Sequence, residues 1–343
     1  MNDDGDRAPE GTATPDDGGS SLTILLALVA NAGVGVLKLG AGLLTGSGAL
    51  LSEAAHSAGD TTTELLLLAA LRRSERPADR VHPFGYGKER YFWSLLAAVA
   101  IFVSGAAFSV FEGVHTIVSG EAALSHVWVN YVVLAAAFLL EGASLLRGLS
   151  QTRGEARSQR RTMASYVRDP DDPTVKSVVL EDTAALIGIG LAAAGVALHQ
   201  ITGDAVWDGA ASIAIGVLLV VAAVLLAQTC KGLLIGKQAD IRLVRAVRET
   251  LREEVEIDDV VDIVTMMVGT GRVLLGARVD FVDTYSALDL ERACVRIDAD
   301  LRERYGELDE IFIQPVPRDD RELRDRVMAR YGRTMTRRDT TDG

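Results

Sequence analysis

The chain has 343 residues, a length that suggests two domains. Its mean hydropathy is positive although 24% of its residues are charged, a balance expected of a membrane protein that keeps its charges outside the bilayer. A formal net charge of −12 disfavours nucleic acid as a partner, and two cysteines, Cys230 and Cys294, are too few for a disulfide or metal framework.

Residues 1–20 are acidic and rich in Gly, Pro and Thr, without a signal-peptide pattern, and read as a disordered cytosolic tail. Residues 21–236 contain six segments approaching the roughly 20 apolar residues that a bilayer core requires. They are Leu22–Gly46, Ala49–Leu71, Tyr91–Val118, Val127–Leu146, Val175–His199 and Val206–Cys230; the second and fifth carry acidic residues. The connection between the second and third bears Arg72, Arg73, Arg76, Arg80, Lys88 and Arg90. That between the fourth and fifth bears Arg147, Arg153, Arg157, Arg160, Arg161, Arg168 and Lys176, and the other connections have no Lys or Arg. Positive residues stay on the cytosolic side, so both termini are expected inside a multi-pass protein of the cell membrane. The rival reading, a soluble bundle of buried helices, leaves this one-sided charge unexplained.

Residues 237–316 change character. Asp240 can cap a helix running to about Glu254, and Val260–Val268 and Val273–Val282 read as a hairpin turning at Gly269-Thr270-Gly271. Ser286 and Asp289 suit a capping box for a helix ending near Gly306, and Glu310–Val316 reads as a third strand. The fold class expected is therefore an all-α six-helix transmembrane bundle plus a C-terminal α+β ferredoxin-like domain of order α-β-β-α-β. Residues 317–343 form a charged tail with a short helix over Glu322–Arg330.

The second segment is the most informative. It reads Ser52-Glu53-Ala54-Ala55-His56-Ser57-Ala58-Gly59-Asp60-Thr61-Thr62-Thr63-Glu64. His56 and Asp60 stand one helical turn apart on a shared face, and Glu53 and Glu64 extend that stripe. Ionisable groups in a bilayer are costly, so a stripe of them points to function; an imidazole and a carboxylate at this spacing can ligate a divalent ion. The alternative is a hydrogen-bond network between helices.

The fifth segment carries Glu181 and Asp182, adjacent carboxylates roughly 100° apart on a helix, of which one faces a shared site. Asp182 is the preferred ligand and Glu181 its substitute. Asn31 either gives the ion a carbonyl oxygen or packs helices. Lys38 reads as a counter-charge to Glu53 because an ammonium repels metal. Glu141 either joins proton movement or is a buried structural acid. Glu112, His115 and Asp208 lie near the far ends of their segments and need no function. Asp79 and His82, in the loop after the second segment, make a poor metal site, and residues 237–316 contain no histidine.

The run Thr45-Gly46-Ser47-Gly48-Ala49-Leu50-Leu51-Ser52-Glu53-Ala54-Ala55-His56-Ser57-Ala58-Gly59-Asp60 resembles the helix 2 signature of the cation diffusion facilitator family. The loop His82-Pro83-Phe84-Gly85-Tyr86-Gly87-Lys88 is also similar to that family's. Asp169-Pro170-Asp171-Asp172-Pro173-Thr174-Val175 with Val179-Leu180-Glu181-Asp182-Thr183-Ala184-Ala185 resembles its zinc transporter 9-like subgroup. The likeness spans about Leu22 to Val316. It implies a homodimer in the lipid bilayer, exchange of a divalent metal cation for protons, and a metallochaperone-like C-terminal fold. It implies metal ligands at His56, Asp60 and Asp182. The chain departs from the family at Val178, where many members have a fourth ligand. Water, Glu181 or Asn31 would then complete a tetrahedral zinc site. It departs again at Tyr86, where members with a loop metal site have a histidine.

The expected function is thus export of zinc, or of manganese, iron(II) or cobalt, with the metal as cargo and no resident cofactor. A membrane-embedded metal-dependent hydrolase is the competing class, but the chain shows no nucleophile motif and no large extramembrane loop in its membrane half. It is expected not to be an enzyme.

Overall fold

The computed structural model describes residues 17–120, 126–158, 162–163 and 173–331. Residues 1–16 of the expected tail and 332–343 lie outside the described residues. Helix α1 spans Asp17–Thr45 and α2 spans Gly48–Ser74. A continuous helical rod follows: α3 at Glu89–Ala100, a π-helical stretch at Ile101–Ala107, and α4 at Phe108–Ser119. Then come α5 at Val127–Ser158, α6 at Pro173–Thr202 and α7 at Val206–Ile235. Four helical stretches are long and apolar enough to cross a membrane: Glu89–Ser119, Val127–Gly154, Val179–Thr202 and Val206–Ile235. Helices α1 and α2 have 29 and 27 residues, a sufficient length, without being among those four. In α2 the reason is its own polar stripe.

The described residues divide into two compact units. One draws on residues 17–65, 99–120, 126–149 and 179–223, the other on 66–98, 150–158, 162–163, 173–178 and 224–331.

In the first unit small residues let helices approach. A Cβ on Gly113 of α4 would stand 2.5 Å from the Gly209 carbonyl oxygen of α7, and one on Gly209 2.7 Å from that of Gly113. Apolar lipid gives helices little hydrophobic reason to associate, so backbone proximity of this kind supplies the contact. The start of α2 is held from afar. Asp208 of α7, fully buried, accepts from the Ser47 hydroxyl at 2.8 Å and the Ala49 amide at 3.2 Å. Its carboxylate thereby serves one of the amides that the helix leaves unpaired. Asp208 thus has a structural role, in keeping with the expectation that it needs no function.

In the second unit α8 spans Ile241–Glu253 and is capped by Asp240, whose carboxylate accepts from the Arg242 amide. Strands β1, Ile257–Gly269, and β2, Arg272–Phe281, pair antiparallel around Thr270-Gly271, with Gly271 at φ 62°. Helix α9, Ala287–Arg304, starts at the expected Ser286–Asp289 capping box and crosses over to β3, Leu308–Pro315, which lies parallel to β2. The sheet order is β1-β2-β3. Irregular pairing near Ile257, Val260 and Met267 lets β1 begin three residues before the expected Val260. Helix α10, Arg321–Tyr331, realises the short helix expected in the tail.

The core of this unit gathers Val247 and Leu251 from α8, Ile263 and Met267 from β1, Leu275, Ala277 and Val279 from β2, Ile297 and Leu301 from α9, and Ile311 from β3. Tyr91 of α3 and Leu233 of α7 belong to the same cluster. The alternation of β2, with every second residue buried, fixes which face meets the helices.

Candidate metal site

Helix α2 presents its polar stripe as a ladder, in part because residues three and four apart share a face. Ser52, Glu53, His56, Ser57, Asp60 and Thr63 are all buried. His56 Nδ1 lies 3.4 Å from Asp60 Oδ1, so the two expected ligands are adjacent. The contact is too poorly aligned to be a hydrogen bond: Asp60 Oδ1 and His56 Nε2 are both buried without a hydrogen-bond partner. A proton on Nδ1, facing the carboxylate, leaves the lone pair on Nε2 available to a cation. The rod from Glu89 to Ser119 lies against this ladder at its π-helical stretch, where a Cβ on Gly105 would stand 3.8 Å from His56 Cα.

The two carboxylates of α6 diverge. Glu181 is buried and lies within electrostatic reach of Asp60. Asp182 is half-buried and accepts a hydrogen bond at 3.1 Å from the Ser144 hydroxyl of α5, within electrostatic reach of Glu64 and Glu141. The side chain of Val178 lies outside the described residues. Asn31 donates to Glu64 Oε1 at 2.5 Å. Its amide nitrogen therefore faces Glu64, one turn beyond Asp60. Among the described residues no three His, Cys, Asp or Glu side chains stand close enough to form a ready metal cage.

One turn to the other side of His56 lies a separate ionic group. Lys38 of α1 is fully buried, with its ammonium 3.1 Å from Glu53 Oε2, 2.9 Å from Ser57 Oγ and 3.8 Å from Glu141 Oε1. The expected Lys38–Glu53 pairing is thus present. A Cβ at Gly188 of α6 would collide with Glu53 Oε1, so any larger residue there would make that carboxylate move. Sequence reasoning passed over Ser144 and Gly188. Ser144 follows Glu141 by three residues on one face, a usable signal; Gly188 offered none.

The loop after α2 has its own chemistry. Asp79 accepts from the Tyr86 hydroxyl at 2.6 Å and from the Val81 and His82 amides at 2.8 and 2.7 Å. The Tyr86 hydrogen bond first, then the backbone amides, hold its carboxyl down to about 2. His82 Nδ1 is 3.6 Å from Asp79 Oδ1, and the Arg76 guanidinium lies over the Tyr86 ring. The carboxylate is engaged by this clasp. Gly85 and Gly87 bring the loop against the β1–β2 turn: a Cβ on Gly87 would stand 2.5 Å from the Val268 carbonyl oxygen.

Apolar helices of membrane-crossing length around a buried imidazole–carboxylate pair define a polytopic helical membrane protein that can present nitrogen and oxygen ligands to a cation. Comparison with known proteins narrows this class. The cation efflux transmembrane domain matches residues 24–235, and the chain belongs to that family, the cation diffusion facilitators. It is 33% identical over 262 residues to Metal tolerance protein C4 of Arabidopsis thaliana, covering 76% of this chain and 57% of that protein. It is 32% identical over 263 residues to the mitochondrial proton-coupled zinc antiporter SLC30A9 of Homo sapiens, covering 77% of this chain and 46% of that protein. A 26% identity over 178 residues links it to the magnetosome protein MamB of Magnetospira sp. (strain QH-2), over 52% of this chain and 55% of that protein. The chain spans about half the length of the first two relatives.

Proposed function

We propose that this chain exports a divalent metal cation, zinc or a similar ion, from the cytoplasm in exchange for protons, by alternating access in a homodimer. The observation that carries the reading is the pair of buried, unpartnered acceptors His56 Nε2 and Asp60 Oδ1, one turn apart on a membrane-length helix. Buried acceptors without partners cost free energy, and a cation arriving from water removes that cost. Glu181, buried within electrostatic reach of Asp60, and its neighbour in sequence Asp182 are the candidates to complete the coordination from α6; Asn31, engaged by Glu64, is the weaker one. The ligands must draw together around the ion, as a site that opens alternately to two sides requires.

Proton exchange follows from the chemistry of these donors. Metal and proton compete for the same lone pairs, so protonation on the far side releases what the deprotonated site bound on the near side. Mixed nitrogen and carboxylate donors suit zinc, the ion named for the SLC30A9 relative; manganese, iron(II) and cobalt are the next candidates. The reading takes α1, α2, α5, α6, α7 and the rod Glu89–Ser119 as six spans, with the Arg-rich loops and both termini in the cytosol of a cell membrane. The test is uptake of zinc, manganese, iron(II) and cobalt by proteoliposomes under an imposed pH gradient. Flux of none of them through folded protein overturns the proposal, and zinc flux indifferent to the gradient removes its proton half.

A further inference from the structure

Lys38 is the only buried Lys or Arg among the described residues, and it lies among carboxylates in the first unit. Three oxygens from two other helices surround its ammonium: Glu53 Oε2 and Ser57 Oγ from α2, and Glu141 Oε1 from α5. The remaining oxygen of Glu53 is buried without a hydrogen-bond partner. Glu53 and Asp60 are seven residues, two turns, apart on the same face of α2, so the ammonium and the His56–Asp60 pair occupy successive levels of one polar ladder. Two carboxylates and a hydroxyl around one point are hard oxygen donors, the set that suits a divalent cation.

We propose that Glu53, Glu141 and Ser57 form a second cation station, and that Lys38 fills it as a tethered cation so that a divalent ion cannot rest there. The inference deepens the transport reading, on which its functional meaning rests. An ion that stopped at two stations would be held more tightly than one that stops at His56 and Asp60. A permanent ammonium at the further level lets the ladder stay charge-balanced without trapping cargo. Gly188 belongs to the same arrangement, because it makes room on α6 for the Glu53 carboxylate that holds the ammonium.

The experiment measures zinc bound per chain by equilibrium dialysis of the full-length protein in detergent. Wild type should bind one equivalent, Lys38→Arg one, and Lys38→Ser two. Asp60→Asn should bind none, and Lys38→Ser with Asp60→Asn one. That double variant separates the two ideas: if wild type binds no zinc, the transport site is wrong, yet a gained equivalent in Lys38→Ser still supports the second station. Adding Glu53→Gln to Lys38→Ser should abolish the gain. A folded Lys38→Ser, or Lys38→Gln if the serine variant does not fold, with unchanged stoichiometry overturns the proposal. Anomalous zinc density between Glu53 and Glu141 in wild type overturns it too, whatever the variants do.

Discussion

The polar stripe of α2 and the surface of the C-terminal domain treat charge in opposite ways. Along α2, Ser52 Oγ, Glu53 Oε1, His56 Nε2, Asp60 Oδ1, Thr63 Oγ1 and Glu64 Oε2 are buried without hydrogen-bond partners. In the domain, carboxylates meet guanidinium groups: Arg272 with Asp309 at 2.7 Å, and Arg296 with Glu254 and Glu256 at 2.8 Å each. Asp262, buried in β1, leaves one oxygen unpartnered, but its other oxygen takes Arg278 at 2.9 Å and Arg330 at 3.2 Å. Exposed pairs in water are individually worth about 0–1 kcal/mol, so the domain's charges mainly set solubility and local order. The orphaned groups of α2 oppose stability, and the proposed cation site would account for their retention. Substitutions should therefore separate stability from function in α2 and couple them in the domain.

The sharpest break in that contrast is Asp60→Asn. The amide has nearly the shape of the carboxylate but removes a buried charge, so thermal stability should hold or rise while metal transport is abolished. Loss of an outer-shell partner alone costs about 10–100-fold in metal affinity, and loss of a ligand should cost more. Thermal unfolding and zinc flux on the same preparation check it; a destabilised but transporting variant would reverse the argument. Next in size is the comparison of Glu181→Gln with Asp182→Asn. Because Glu181 is buried within electrostatic reach of Asp60 and Asp182 is half-buried and hydrogen-bonded to Ser144, Glu181→Gln should cost about tenfold more flux. The opposite order would return the α6 ligand to Asp182.

What the sequence displayed depended on the range of the interaction. The caps at Asp240 and at Ser286 with Asp289 were legible because their partners are two and three residues away. The His56–Asp60 pair was legible for the same reason, being one turn apart on a single helix, although the polar stripe keeps that helix from standing out by hydropathy. The rotation of α6 was not: adjacent residues differ by about 100° on any helix, and only packing decides which of Glu181 and Asp182 turns to α2. Asp208 reaches the start of α2 from 159 residues away, and Gly188 matters only because Glu53 lies against it. The π-helical stretch at Ile101–Ala107 left no composition signal.

In the domain, Leu275→Ala should cost about 2–5 kcal/mol, since the residue is fully buried at the centre of β2 and a cavity would remain. Hydrogen exchange in β1, β2 and α9 should quicken together, whereas the α2 substitutions leave it unchanged. Protection lost in one strand alone would show that the domain does not unfold as a unit. Smaller again is Ser286→Ala, which removes the capping box from α9 at about 1 kcal/mol and should loosen only its first turn. Exchange at Leu288–Leu290 reads it, and spread of the effect through α9 would contradict a local cap.

The smallest effect belongs to the loop clasp, where charge is exposed yet organised. Asp79 titrates near 2 in the folded chain against an ordinary 3.8, with the Tyr86 hydrogen bond as the main cause. A depressed folded value means that the ionised clasp contributes fully above pH 3.8 and is lost as pH falls through about 2. Tyr86→Phe removes the hydroxyl but keeps the ring over which Arg76 lies. The midpoint of Asp79 should then rise towards 3.8 without reaching it, because the Val81 and His82 amides still donate to the other carboxylate oxygen. Those two amides are the reporters: their isotope-labelled shifts in detergent-solubilised protein should follow Asp79 through its titration. Global stability should not change measurably, since the group is exposed and its charge is screened by solvent. An unchanged midpoint would assign the depression to the two amides alone. The loop would then owe its shape to the Asx-type turn at Asp79 and not to the aromatic ring of Tyr86.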